Sequence, residues 1–214
     1  MDATVLTAII STAGIIIVAI IGYLSKQNTE KQKLSAEKEL ARVEREMDFQ
    51  TDALTVTISL RDWDLIYKEL NKLMEESDID RFLILAAWNG IEDPKWTTAI
   101  FQYRRGDQNP VSYVHVELDD DYCEKLRLIR TMGEIDFSTE ELMPSLIKSI
   151  YEMEGIKYSA WYHINSKRLS DTGSTALRYC SFATHGDKVF SDADKINCRR
   201  IVGMLKGALG HEHH

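Results

Sequence analysis

ALRYCSFATHGDKVFSDADKINCRRIVGMLKGAL, residues 176–209, places a strand and a helix back to back, and the fold turns on that order. Residues 175–184 read as a strand, with His185 in the turn after it. Ser191 with Asp194 marks a helix start, and Ile196, Ile201, Val202, Leu205 and Leu209 supply its apolar positions until Gly210 stops it. Upstream, residues 156–164 (IKYSAWYHI) read as another strand. The polar segment 165–174 joins the two most simply as an antiparallel hairpin with a long tip.

Working outward, residues 81–88 (RFLILAAW) and 96–103 (WTTAIFQY) read as strands joined through Asn89, Gly90 and Pro94. Residues 111–118 (VSYVHVEL) alternate, with Val114, Val116 and Leu118 on one face and His115 and Glu117 on the other. Before the strands, Trp63, Ile66, Tyr67, Leu70, Leu73 and Met74 form an apolar stripe at helical spacing. After them, Asp119, Asp120 and Asp121 open a helix through Leu126, Ile129 and Met132 that ends before Gly133. Ser138 with Glu141 forms a capping box for a further helix, interrupted near Pro144, continuing through Leu146, Ile147 and Ile150 and ended by Gly155. The expected fold over residues 55–209 is mixed α/β, of the α+β type, with an antiparallel sheet of about five strands and flanking helices.

Residues 5–24 (VLTAIISTAGIIIVAIIGYL) contain no formal charge. At about 1.5 Å per residue, a helix of that length matches a hydrocarbon core of roughly 30 Å, so a single transmembrane helix is expected. Neither a basic segment before the run nor a small-x-small cleavage site is evident, which argues against a secretory signal. Residues 1–4 carry only Asp2, whereas Lys26, Lys31 and Lys33 follow the span, so the positive-inside bias puts residues 1–4 outside and the rest in the cytoplasm of an inner membrane. Residues 25–54 lack Gly and Pro and are rich in Glu, Lys, Ala and Arg, which makes a charged helical stalk. Within it Leu40, Val43, Met47 and Leu54 lie on an a/d seam suited to a homodimer or higher homo-oligomer, and a single solvated helix is the alternative. Residues 210–214 form a His-rich tail.

Net charge is −8, without a lysine or arginine block, so nucleic acid is not an expected partner. Cys123, Cys180 and Cys198 are odd in number and widely spaced, unlike a disulfide scaffold, and suggest a reducing compartment. A Cys180–Cys198 pair with Cys123 free would serve equally well on the outer side.

The order of elements, carried by RFLILAAWNG at 81–90, IKYSAWYHI at 156–164 and the 176–209 segment, resembles a GAF-type domain. The resemblance implies an α/β sensor fold whose first and last helices share one face of the sheet. With a span and a stalk, it also implies a membrane sensor that binds a small ligand or a protein partner. The plan is similar, too, to holins of the T-even phage type, which have one N-terminal membrane helix and an exported α/β domain. That second resemblance implies a periplasmic domain in which Cys180 and Cys198 can pair.

The Asn-Lys…Phe…Asp-Glu series of cyclic-nucleotide-binding GAF domains is not found, and Cys123, followed by Glu124 and Lys125, lacks the adjacent His of a bilin attachment site. The cysteines are not grouped as in GAF-type methionine sulfoxide reductases. His115, His163 and His185 read as ordinary strand or surface histidines, and the acid clusters as helix starts. No catalytic residue, metal site or cofactor is therefore expected. By the resemblance, Trp88 and Asn89 stand near the usual GAF ligand cavity, and with Trp96, Tyr113, Trp161 and Tyr179 they could line an aromatic pocket; ordinary core aromatics are the competing reading.

Overall fold

The computed structural model describes residues 58–88, 93–106, 113–168 and 175–209. The elements in chain order are α1 (Leu60–Glu76), β1 (Arg81–Trp88), β2 (Trp96–Arg104), β3 (Val116–Glu117), α2 (Asp120–Met132), β4 (Glu134–Ser138), α3 (Leu146–Glu154), β5 (Tyr158–Arg168), β6 (Thr175–Thr184) and α4 (Asp192–Leu209). Six strands form one sheet in the order β3-β2-β1-β6-β5-β4, every neighbouring pair antiparallel.

Strand alternation divides the core into two layers. On one face Phe82, Ile84, Cys180, Phe182, Ala160 and Tyr162 pack against Ile66, Leu70 and Leu73 of α1 and Cys198, Ile201 and Leu205 of α4. On the other, Leu83, Leu85, Leu177, Tyr179 and Trp161 pack against Leu126 and Ile129 of α2 and Ile147 and Tyr151 of α3. β1 is buried along its whole length because both its faces are covered.

Helix ends follow local chemistry. The Ser59 side chain accepts from Asp62 N–H and caps α1, and Ser191 and Asp194 exchange bonds of 2.9 and 3.2 Å at the start of α4. Gly155 ends α3 in the left-handed region at φ 72°, which a residue without Cβ adopts freely.

Three expectations need correction. The sheet has six strands rather than five, because Glu134–Ser138 pairs with β5. Ser138 and Glu141 do make reciprocal capping bonds of 3.4 and 3.3 Å, but a turn follows, and the helix begins only after Pro144, with Ser145 as its N-cap. The alternation across 111–118 does not give a long strand. His115 lies at φ 52°, which reverses the chain locally, leaves Val114 63% exposed, and limits pairing to Val116 and Glu117.

Among the described residues no helix is long and apolar enough to cross a membrane. The expected span at 5–24, the stalk with Leu40, Val43, Met47 and Leu54, Asn89 and the tail at 210–214 all lie outside the described residues.

Candidate functional site

A small cavity of about 20 Å³ lies between the sheet and helices α2 and α3, walled by Leu83, Leu85, Ile147 and Ile150 and by Arg81, Tyr113, Tyr122, Tyr151, Trp161 and Ser181. That volume admits roughly one water. It is far below the ~300 Å³ at which drug-sized ligand pockets begin. The protein's own aromatic rings occupy the space: Trp161 packs on Tyr122 at 5.1 Å, on Tyr179 at 5.3 Å and on Phe137 at 5.4 Å between ring centroids.

Polar groups converge on this cavity from three directions. From β5, Trp161 Nε1 donates to Tyr151 Oη at 2.7 Å, which donates to Ser159 Oγ at 3.0 Å, itself 3.0 Å from Ser181 Oγ. From α2, Tyr122 Oη meets Tyr179 Oη at 2.6 Å, and Tyr179 Oη lies 3.1 Å from Thr97 Oγ1. Burial pushes both tyrosine hydroxyls well above their ordinary range, so they remain neutral hydrogen-bonding groups.

At the remaining side sits an ion-pair cluster. Arg81, 1% exposed, donates to the Glu154 carboxylate and to Tyr113 Oη at 3.1 Å, and Tyr113 Oη donates in turn to Glu154. The guanidinium also lies over the Tyr151 ring, 5.5 Å from its centroid. Arg104, directly opposite Arg81 across the β1–β2 ladder, has Nη2 at 3.6 Å from Glu154. Burial first, and then the Arg81 charge, lowers the Arg104 pKa.

The structure brings Tyr113, Trp161 and Tyr179 together in one core layer. It separates them from Trp88 and Trp96, cross-strand partners whose position in the alternation of β1 places them on the opposite face from Leu83, Leu85 and Ala87. There the His115 ring stands edge-on to Trp88, 5.4 Å between centroids, and 6.1 Å from Trp96. Trp88 and Trp96 are therefore not among the residues that line the cavity. Arg81, Arg104 and Glu154 escaped sequence reasoning. The signals were an arginine heading an otherwise apolar strand, and a glutamate in a last helical turn, where the helix dipole disfavours acid.

The histidines and cysteines sit apart from the cavity. His163 Nε2 lies 2.8 Å from Ser166 Oγ and His185 Nδ1 2.8 Å from Asp80. Cys123, Cys180 and Cys198 are buried free thiols, each pushed up chiefly by burial. Among the described residues no group of three or more His, Cys, Asp or Glu could hold a metal ion.

With the two-layer arrangement and the cavity in place, comparison with solved structures defines the class: the domain has a GAF-type fold. It is similar to the GAF domain of a two-component sensor histidine kinase from Bacillus halodurans, at 15% identity over 72% of this chain and 96% of that one, with a TM-score of 0.51. It is likewise similar to a far-red cyanobacteriochrome photoreceptor, at 10% identity over 83% of this chain and 99% of that one, with a TM-score of 0.52. No protein-family model and no curated protein matches the chain.

Proposed function

We propose that the chain is a non-enzymatic sensing or interaction protein whose GAF-type domain binds a small ligand in the cavity between the sheet and α2–α3. The observation that carries this reading is the convergence there of Arg81, Tyr113, Tyr151 and Trp161, all buried. These are hydrogen-bond donors and aromatic faces, groups suited to holding a ligand, which supports the binding reading. The cavity is small because side chains fill it, so a ligand enters by displacing them.

The test follows the Trp161 indole N–H resonance of the full-length chain during titration with small molecules of both charges and none. Binding in the cavity perturbs the 2.7 Å bond to Tyr151 and gives a saturable shift. A resonance indifferent to every compound overturns the ligand reading and leaves a protein-interaction domain.

The proposal includes a single-pass inner-membrane anchor at 5–24, a cytoplasmic domain, and a homodimer joined through the stalk and terminal helices. A monomer at all practical concentrations would remove the dimer, and Leu40→Asp or Met47→Asp is expected to weaken it. A second reading, a phage-type holin with an exported domain, draws on Cys180 of β6 and Cys198 of α4, both fully buried in the same core layer. Labelling from outside intact cells separates the two. Cys123 serves poorly because its thiol is buried and donates to Pro94 O at 3.3 Å. A cysteine at Met153, which is 84% exposed, serves better. External labelling of Met153→Cys would sink the cytoplasmic reading.

A further inference from the structure

We propose that the seat occupied by the Glu154 carboxylate is a recognition site for a small monocarboxylate ligand, which enters by replacing Glu154 on Arg81 and Tyr113. The inference rests on the ligand-binding reading above and names the class of ligand.

Charge balance is the first ground. Two guanidiniums face one another across β1 and β2, an arrangement that repels, and one carboxylate lies between them. Arg81 Nε, Arg104 Nε and Arg104 Nη2 are buried without a hydrogen-bond partner among the described residues. Asp80 also favours the Arg104 charge, but its two oxygens are turned to His185 N–H and His185 Nδ1, so among the described residues Glu154 is the carboxylate ion-paired with the two guanidiniums. The two Nε groups are thus unused and Arg104 Nη2 reaches Glu154 only as an ion-pair contact at 3.6 Å, so the cluster has donors to spare for a carboxylate.

Shape is the second. Arg81 and Tyr113 grip the carboxylate, while Leu83, Leu85, Ile147 and Ile150 wall the adjoining cavity. A charged head beside an apolar wall suits a short aliphatic acid rather than an inorganic anion, which has no apolar part to bury. The exchange is also neutral: one carboxylate leaves as another arrives, so Arg81 is never left uncompensated.

Release of Glu154 is the third. It is the last residue of α3, in a last turn with no basic residue, where the helix dipole opposes its charge. Gly155 follows at φ 72°, and Met153 beside it is 84% exposed. Unwinding of the residues after Tyr151, whose own hydroxyl stays bonded to Trp161 and Ser159, therefore carries the carboxylate to water. Glu154 is thus a tethered competitor, present at an effective concentration on the order of millimolar, and it weakens the apparent affinity for any free acid.

Acetate contains the atoms that Glu154→Ala removes, and it is the probe. Full-length wild type and E154A are titrated with sodium acetate, with acetamide as the neutral isostere and sodium chloride at matched ionic strength, reading thermal midpoint and the Trp161 indole resonance. Acetate is expected to bind E154A at least about tenfold more tightly than wild type and to raise its midpoint, with chloride and acetamide doing neither. Equal effects of acetate, acetamide and chloride on E154A overturn the proposal. Should E154A not fold, wild type decides: a saturable Trp161 shift with acetate and none with acetamide supports the site, and no saturable acetate shift overturns it. If neutral compounds shift Trp161 as strongly as acetate, the carboxylate inference falls while the ligand-binding reading stands. If no compound shifts it, both fall.

Discussion

The Asp119 carboxylate accepts the backbone N–H of Leu146 at 2.6 Å, while its other oxygen caps its own helix α2 through Tyr122 N–H at 2.9 Å. One side chain thus ties together the starts of the two helices that cover the cavity. Asp119→Ala is expected to cost about 2 kcal/mol, the sum of a lost cap and a lost charge-assisted bond. Asp119→Asn offers one acceptor where two are needed and should recover only part of that. Urea unfolding measures both, and an Asn variant as stable as wild type would show that the Leu146 bond contributes nothing.

Edge strand β4 is clamped to α4 by charge. Arg199 Nε donates to Glu134 at 2.7 Å, and that bond is the main cause holding the Glu134 carboxyl below its ordinary range. Burial alone would raise Asp136, but hydrogen bonds from Lys195 and Tyr158 outweigh it and leave the carboxyl lowered. Both folded values lie under the unfolded ones, so their stabilisation is complete only above about pH 5–6, starts to fall as pH drops through the unfolded carboxyl range and is gone below the lowered values. Glu134→Gln should therefore unfold at lower urea than wild type at pH 7, and the two midpoints should converge in strong acid. A constant gap from pH 7 to pH 2 would contradict this assignment.

What could be read from the chain was what local sequence decides. The capping bonds of Ser191 and Asp194, the acid start of α2 and the glycine stops after α2 and α3 all depend on neighbours within a few residues. The strand β4 was hidden because only Phe137 of its five residues is buried, and because its last residue, Ser138, carries a genuine capping pattern that no helix follows. At the site, aromatic residues marked Tyr113, Trp161 and Tyr179 as core, but alternation along β1 assigns Trp88 to the other face. Arg81 and Glu154 were illegible for a different reason. Charged residues are buried only when paired, and their pairing spans 73 positions of sequence.

A glycine that caps one helix and a glycine inside another should respond to substitution with opposite signs. Gly155 has φ 72°, and a Cβ there would meet only His185 Cδ2 at an ordinary 3.8 Å. The cost of Gly155→Ala is therefore conformational, about 1 kcal/mol. Gly203 lies within α4 with nothing within 4 Å of an added Cβ, so Gly203→Ala should stabilise the domain by about 0.5–1 kcal/mol. Thermal unfolding of the two variants checks the pair of signs. A destabilised Gly203→Ala would mean that α4 requires the bare backbone at that point.

Tyr151 joins α3 to β5 through its hydroxyl, which accepts from Trp161 Nε1 at 2.7 Å and donates to Ser159 Oγ at 3.0 Å. Tyr151→Phe leaves the indole N–H unpaired in a buried site, at a cost of about 1–3 kcal/mol. The lower end applies if water takes the place of the hydroxyl, since the adjoining cavity of about 20 Å³ has room for one. Trp161→Phe loses the same bond and opens space as well, so its own effect does not measure the bond. The double variant does: once the indole is gone, removing the hydroxyl no longer strands a donor. A coupling energy of about 1 kcal/mol in the double-mutant cycle is expected, read from urea unfolding. Additive effects would mean that the two residues merely pack against each other.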